Sequence, residues 1–386
     1  MNVLSYFGLD PGNANSHSRG AMFERDLFCA CSNAHGVSGH EGDVRGIFRR
    51  ELGGLGLLST SSSGNIYCLR EYAGPCVMLA AHMDEIGFLV QSVMPEGFLS
   101  AVPVGGWWSH TLPSQRVVVK TAEGRLIHGV IGAKPPHFLP ESQRNAVLPI
   151  DAMFIDIGAA SAEEVAELGI RPGDPVAPDV QARSLDVPHR WLGKAFDNRA
   201  GFHVMLQAMK ELAAEPLPCT LVAAGTVQEE VGARGAKTLG GTLVPDCAVI
   251  LEGPPADDSP GIAAGARQGV LGGGVQIRAF DPTAIMNPAL VRLACRTAEE
   301  NGIPFQLTVR RTGGTDAGAV HMLGAGVPCI VLGVPARYIH AHNGILDERD
   351  LRAAVRLAAA LVRRLDAATV ASLTDYDTLD AASAAI

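Results

Sequence analysis

At 386 residues the chain exceeds the length at which one hydrophobic core usually stops growing, so a large domain carrying a smaller one is expected. Hydrophobic residues make up 47% and charged residues 18%, which argues against disorder outside the chain ends and favours a globular α/β protein. The net charge of -9, without a clustered basic face, argues against nucleic-acid and membrane partners.

Changes in apolar periodicity and in the spacing of Gly and Pro divide the chain into segments. Residues 1–20 have no apolar period and are predicted to form a flexible extension. Residues 21–94 and 183–370 alternate strand and helix patterns, which predicts one α/β domain built on a doubly wound mixed sheet. Between them, residues 95–182 show short alternating runs separated by Gly and Pro, which predicts an inserted small β-rich domain. Residues 371–386 are predicted to form a tail.

The cysteines and the N-terminal sequence indicate a reduced, cytoplasmic protein. The eight cysteines are scattered, several within apolar runs, and their spacing matches neither a zinc knuckle nor a redox pair. The first twenty residues lack the basic start and apolar core of a secretion signal. No stretch has 18 consecutive apolar residues, which a membrane span would require.

Four apolar strands each run into residues that can bind a metal. Ligand sites in open α/β sheets form beyond the carboxyl ends of strands, so these side chains are expected to converge. They are His82 with Asp84, the pair Glu229 and Glu230, Glu252, and His340. A single histidine or glutamate at a strand end is more often a structural or solvated residue. Two adjacent glutamates after an apolar strand, however, place like charges together, which demands a cation or a raised pKa.

Asp197 stands just before a predicted helix, and its local sequence allows two interpretations. Either Asp197 or Asn198 is the N-cap of that helix, or the Asp197 carboxylate bridges two metal ions.

The ordered motifs resemble the tetrahedral (TET) aminopeptidases, a co-catalytic zinc family that includes glutamyl and deblocking aminopeptidases. The resemblance covers about residues 24–366. It rests on Gly36-Val-Ser-Gly-His-Glu41, Ala81-His-Met-Asp-Glu-Ile-Gly-Phe88, Gly105-Gly-Trp107, Ile131-Gly-Ala-Lys-Pro-Pro-His137, Ala195-Phe-Asp-Asn-Arg-Ala-Gly201, Val227-Gln-Glu-Glu-Val-Gly232, Gly313-Gly-Thr-Asp-Ala-Gly-Ala319 and Arg337-Tyr-Ile-His340. The resemblance implies a zinc-peptidase-type catalytic domain, with residues 95–182 as a β-barrel-like dimerisation domain. It also implies a homo-oligomer in which dimers assemble into a dodecamer.

The same resemblance implies two divalent metal ions per subunit, with zinc preferred and cobalt or manganese as alternatives. His82 and Glu252 would bind one ion, and Glu230 and His340 would bind the other. Asp197 would bridge the two ions.

The remaining roles follow from the same motifs. Glu229 would be the general base, and Asp84 would orient the imidazole of His82 or hold the bridging region. His342 lies two residues beyond His340 and competes with it as a ligand. Asp316 is a candidate site residue whose other interpretation is an ordinary turn before a helix.

Other histidines and arginines are interpreted as structural. His128, His137 and His321 are predicted to be surface or packing residues. Arg267 and Arg337 would favour an acidic substrate side chain if they reached the site, but a structural or surface position explains them better. The specificity for the N-terminal residue therefore stays open.

The predicted function is a metal-dependent aminopeptidase that acts on peptides. The alternatives are an N-acyl amino acid deacylase on the same fold, an endoglucanase, as some members of the family have been labelled, and a non-catalytic scaffold. Glycosidases normally use two carboxylates and no metal, and a scaffold has no use for the base Glu229.

Overall fold

A central mixed β-sheet with a separate β-barrel inserted into it makes up the framework of the protein. The computed structural model describes residues 24–377, so the predicted extension at 1–20 and most of the predicted tail lie outside the described residues. The helices are α1 Arg25–Asn33, α2 Gly42–Leu52, α3 Glu141–Arg144, α4 Ala162–Glu167, α5 Phe196–Glu211, α6 Arg234–Thr238, α7 Pro288–Glu300, α8 Ala317–Val320, α9 Glu348–Val362 and α10 Ala367–Ser372.

The strands fall into three groups, which are the central sheet, the barrel and a small antiparallel sheet. In chain order they are β1 Leu57–Thr60, β2 Ile66–Arg70, β3 Cys76–His82, β4 Gly87–Val93, β5 Leu99–Val104, β6 Arg116–Lys120, β7 Leu126–Ala133, β8 Met153–Asp156, β9 Pro175–Pro178, β10 Arg183–Ser184, β11 Arg190–Gly193, β12 Thr220–Thr226, β13 Cys247–Glu252, β14 Val275–Asp281, β15 Ala284–Ile285, β16 Phe305–Val309, β17 Cys329–Gly333, β18 Ala336–Arg337 and β19 Gly344–Asp347.

The central sheet has the order β1-β2-β12-β3-β13-β17-β14-β15, with β16 paired to β14. Its middle strands β12, β3, β13 and β17 run parallel to one another, whereas β2 and β14 join them antiparallel. Every residue of β13 and β17 is buried, as expected for parallel strands covered on both faces. The predicted mixed α/β sheet is confirmed, and the doubly wound arrangement of its helices stays a prediction.

The insert folds into a closed barrel with the strand order β4-β5-β8-β7-β6-β9. Its interior is filled by a separate hydrophobic cluster that includes Phe88, Leu99, Val117, Ile131 and Val176. The barrel strands run over 87–178, so the first of them begins before the predicted boundary at residue 95.

A third hydrophobic cluster joins the barrel to the rest of the chain. Val104 and Val118 of the barrel are buried against Val37, which precedes the barrel in the chain, with Leu89 and Val231 packed around them. Val231 directly follows the Glu229–Glu230 pair. The barrel is therefore in contact with the segment that carries two of the predicted site residues.

Helix α5 packs against β3 and β13 and lies beside α9, which contacts β14 and β17. The small sheet β10-β11-β19-β18 places Arg337 at the end of β18, shortly before His340. Within residues 24–377, no helix is both long enough and apolar enough to cross a membrane.

Candidate functional site

The carboxyl ends of β12, β3 and β13 lie side by side and bring most of the predicted residues together. His82 ends β3, and its partner in β12 is Thr226, three residues before Glu229. Glu252 ends β13, which runs parallel to β3. These neighbouring parallel strands therefore place His82, Glu229, Glu230 and Glu252 at one edge of the sheet.

The start of helix α5 shows which of the two adjacent residues, Asp197 or Asn198, makes the capping hydrogen bond. The Asn198 side chain performs the capping, because its Oδ1 accepts a hydrogen bond from Gly201 N at 3.0 Å and its Nδ2 donates to Leu251 O at 2.8 Å. Asp197 has extended backbone angles, and the peptide bond to Asn198 is cis. The Asp197 carboxylate faces His82 at the end of β3.

One group of possible ligands consists of His82, Asp197 and Glu252. His82 Nε2 lies 3.1 Å from Asp197 Oδ1 and 3.4 Å from Glu252 Oε1. The other ring nitrogen of His82, Nδ1, faces Asp84, at 3.2 Å from its main-chain oxygen and 3.3 Å from Oδ1. That contact leaves Nε2 as the nitrogen available to a metal.

A second group consists of Asp197, Glu230 and His340. His340 Nε2 lies 3.2 Å from Glu230 Oε2 and 3.5 Å from Asp197 Oδ2. The two oxygens of Asp197 therefore face different histidines. The other carboxylate oxygen of Glu230, Oε1, is buried and has no hydrogen-bond partner among the described residues.

The spacing of these atoms fits two divalent cations. Two ligands held about 2.1 Å from one tetrahedral zinc ion lie about 3.4 Å apart, which matches the measured separations within both groups. In each group one imidazole and two carboxylates converge, a donor set suited to zinc, cobalt or manganese. Asp197 belongs to both groups, so it is placed to bridge two ions.

Burial and close contacts shift the pKa values of several side chains at the site. Burial and the neighbouring Asp197 carboxylate together raise the pKa of Glu230 to about 7. Burial also raises the pKa of Glu252 and, well above its usual value, that of Glu229. Burial would lower the pKa of His340, but hydrogen bonds with Asp197 and Glu230 raise it to about 11. Buried carboxylates crowded in this way favour a neutralising partner, and divalent cations would supply the positive charge.

Asp84 organises the site without belonging to either ligand group. Its Oδ1 accepts a hydrogen bond from Glu229 N at 2.9 Å, and its Oδ2 accepts from Glu230 N at 3.1 Å. Ser38 Oγ donates to the same Oδ2 at 2.6 Å. The buried Asp84 therefore links His82 to the segment that carries both glutamates.

Glu229 lies at the site but outside both ligand groups. Its Oε2 is 4.0 Å from His82 Nε2. The preceding residue, Gln228, has a positive φ of 56°, and its N donates to the buried Glu41 Oε1 at 3.2 Å. Glu41, for which the sequence predicted no role, thus supports the turn that places Glu229.

Two further candidates from the sequence lie close by. Asp316 is buried, its Oδ2 accepts a hydrogen bond from Thr226 Oγ1, and burial raises its pKa to about 7. The ring of His342 is buried 5.3 Å from the Trp107 ring, and burial lowers its pKa to about 4. The structure brings His340, and not His342, into a ligand group.

Three further histidines and two arginines that the sequence analysis considered make their contacts outside the two ligand groups. His128 is exposed and faces Asp179, while His321 Nδ1 lies 2.7 Å from Ala317 O. His137 is exposed. Arg337 makes two hydrogen bonds to Asp258, and Arg267 donates to Ile262 O.

A buried ion cluster next to the site was missed from the sequence. Lys194 Nζ lies 2.6 Å from Glu85 Oε1, and Arg199 NH2 donates to the same oxygen at 3.3 Å. Arg199 also donates to Met83 O and Cys31 O. The cluster links the end of β3 to the start of α5. Its three charged residues lie in or next to the sequence motifs that carry His82 and Asp197, and this proximity was the available sequence signal.

Comparison with known proteins places the chain in a family. The model of the M42 glutamyl aminopeptidase family matches residues 64–357. The chain belongs to the M42 family.

Known M42-like relatives match over nearly their whole length. The glutamyl aminopeptidase of Lactococcus lactis is 35% identical over 91% of this chain and 99% of its own. The crystal structure of a TET aminopeptidase from the marine sediment archaeon Thaumarchaeota archaeon SCGC AB-539-E09 is 38% identical, with a TM-score of 0.87 over 90% of this chain and 98% of that chain. The TET1 peptidase of Pyrococcus horikoshii is 32% identical, with a TM-score of 0.78 over 88% of this chain and 99% of that chain.

Membership of the M42 family confirms the predicted activity. The protein is a metal-dependent aminopeptidase, a hydrolase of peptide bonds.

Proposed function

We propose that this aminopeptidase removes N-terminal residues from peptides with two divalent cations, zinc by preference, and with Glu229 as its general base. His82, Glu252 and Asp197 would hold one ion, and Glu230, His340 and Asp197 the other. The observation that carries the proposal is the position of Asp197, whose two oxygens face the two histidines at 3.1 and 3.5 Å.

Each side chain then has a defined task in hydrolysis. Bound divalent cations would polarise the scissile carbonyl and lower the pKa of a water molecule. Glu229, held by Asp84 through its backbone N–H, would take the proton of the attacking water and deliver it to the leaving amine. Asp84 would also keep His82 Nε2 directed at the metal.

The experiment that tests this function uses protein stripped with a chelator and refilled separately with zinc, cobalt or manganese. A panel of aminoacyl chromogenic substrates is assayed beside their N-acetylated counterparts. We expect activity that depends on the metal and on a free α-amino group, with the substrate preference defining the specificity. Absence of activity on every aminoacyl substrate would contradict the assignment.

The closed barrel is proposed to serve as the dimerisation domain, within the predicted domain boundaries 95–182 for the insert and 21–94 and 183–370 for the catalytic part. The related TET1 peptidase of Pyrococcus horikoshii assembles into a tetrahedron or a large octahedral shell. Large apolar side chains are exposed on the insert of the present chain, namely Val102, Trp108, Leu126, Val130, Phe138 and Val147. Such a set on one small domain supports a contact between copies.

Mass measurement during size-exclusion chromatography tests this assembly. A dodecamer built from dimers is the expected species. A protein that stays monomeric over the accessible concentration range would contradict it.

A further inference from the structure

A turn of the barrel lies directly against the second ligand group. Gly105 and Gly106 follow β5, and a Cβ atom added to Gly106 would lie 3.1 Å from His340 Nδ1. That separation is tighter than ordinary van der Waals contact, so the imidazole of His340 would have to move. Gly106 has no positive φ, so an alanine there changes only this contact.

Gly105 makes the corresponding approach to Glu230. Its φ is +79°, and an added Cβ would lie 3.4 Å from Glu230 Cβ and 2.4 Å from Ile86 Cγ2. Glycine is required here for both the backbone conformation and the close contact. The two glycines thus lie beside the two ligands that only the second group contains.

The neighbouring Trp107 fixes this turn to the barrel. Its ring stacks on Phe88 with centroids 5.0 Å apart and an interplanar angle of 17°, and its Nε1 donates to Gly87 O at 2.9 Å. Its ring also lies 5.3 Å from that of His342, in the loop that carries His340. The position of the turn is therefore set by the barrel, while its contacts are with the catalytic part.

His340 has less support from its own domain than the histidine of the first group. Its side chain is 36% exposed, against 1% for His82. It lies in a loop where both Tyr338 and His340 have positive φ, 61° and 55°. A rigid neighbour is therefore needed to restrict its imidazole.

We propose that the Gly105–Gly106 turn is a positioning element for the second metal ion, through which docking of the barrel sets the affinity of that ion. The proposal rests on the two-metal function proposed above. Nε2 of His340 stays directed at Asp197 and Glu230 because the turn lies against the opposite ring nitrogen, Nδ1. Since binding free energies are reciprocal, the second ion would in turn stabilise the docking of the barrel, whereas the first would not.

The test is a zinc titration of chelator-stripped Gly106→Ala, followed by competition with a metal indicator and by elemental analysis. His340→Ala serves as the reference for loss of the second ion. Gly46→Ala is the control, because Gly46 lies on the exposed side of α2 and an added Cβ meets nothing within 4 Å. We expect about 10- to 100-fold weaker binding of the second ion in Gly106→Ala, with binding of the first unchanged.

The double variant Gly106→Ala/His340→Ala separates positioning from general damage. It is expected to bind one ion with the affinity of His340→Ala alone, because the turn acts only through the second group. Unchanged affinity of both ions in Gly106→Ala, or equal weakening of both, would overturn the inference. If the unsubstituted protein itself bound fewer than two ions, the two-metal function would fail instead.

Discussion

The two ligand groups share Asp197 but are built on different kinds of structure. His82 and Glu252 end neighbouring parallel strands, and both are buried in the central sheet. Glu230 and His340 lie on loops, one held by Asp84 and both bordered by a turn of the barrel. The first group is therefore positioned by the central sheet alone. The second group also has contacts with the barrel, so its geometry is sensitive to the position of the barrel.

The largest loss of metal and of activity is expected on substitution of Asp197, because this residue belongs to both groups. Asp197→Ala should remove both ions and lower kcat/KM by at least about 10⁴-fold, because each group loses a carboxylate. Metal content after dialysis and the rate on the best aminoacyl substrate check this. Asp156→Ala, which removes an exposed carboxylate on the barrel, is the control and should keep both ions. Retention of one tightly bound ion by Asp197→Ala would mean that the groups are independent.

A smaller loss of activity is expected on substitution of Glu229, which belongs to neither group. Glu229→Gln should keep both ions but lower kcat by about 10²- to 10⁴-fold, the usual contribution of a positioned base. The measurement is kcat with metal content determined on the same sample. A variant with unchanged turnover would remove Glu229 from the mechanism.

The next prediction concerns the buried ion cluster of Glu85, Lys194 and Arg199, which lies next to the first group. Lys194→Met leaves the buried Glu85 with Arg199 as its remaining cationic partner and with Gly36 N as a donor, so the free energy of unfolding should fall by up to about 3 kcal/mol. Denaturant unfolding measures this. Lys120→Met breaks the exposed pair with Asp43 and should cost about 1 kcal/mol or less. Equal losses in the two variants would show that the buried cluster contributes no more than a surface ion pair.

The smallest effect concerns pH and the helix that carries Asp197. Burial lowers the pKa of His203 in α5 to about 3, against 6.5 in the unfolded chain. The unfolded chain therefore binds more protons below pH 6.5, and stability is lost as pH falls from 6.5 toward 3, by up to about 1.4 kcal/mol per pH unit. His203→Leu should flatten the fall in unfolding free energy between pH 6 and pH 4.5. An identical slope in both proteins would contradict this.

The sequence predicted the first group better than the second, for a physical reason. His82 and Glu252 follow apolar runs that form parallel strands, and parallel strands end at the same edge of a sheet. His340 and His342 are two residues apart in a loop with positive φ values, so periodicity cannot decide which one faces the ligands. Only the family resemblance favoured His340.

The sequence also could not decide whether Asp197 or Asn198 caps helix α5. Asp and Asn are equally good caps, so two adjacent candidates cannot be separated by propensity. The choice depends on the contact of Asn198 with Leu251, 53 residues away in the chain. Likewise, the approach of Gly106 to His340 spans two domains and leaves no local pattern.

The closed barrel restricts how copies of this chain can recognise each other. Each of its strands has a neighbour on both sides, although β5 meets β8 only at the Leu99–Ile155 pair, so little backbone is left to which another copy could add a strand. Most contacts through the barrel must then be made by side chains and loops. Substitutions on the barrel surface can therefore change partner choice one residue at a time while the barrel hydrogen bonds stay intact.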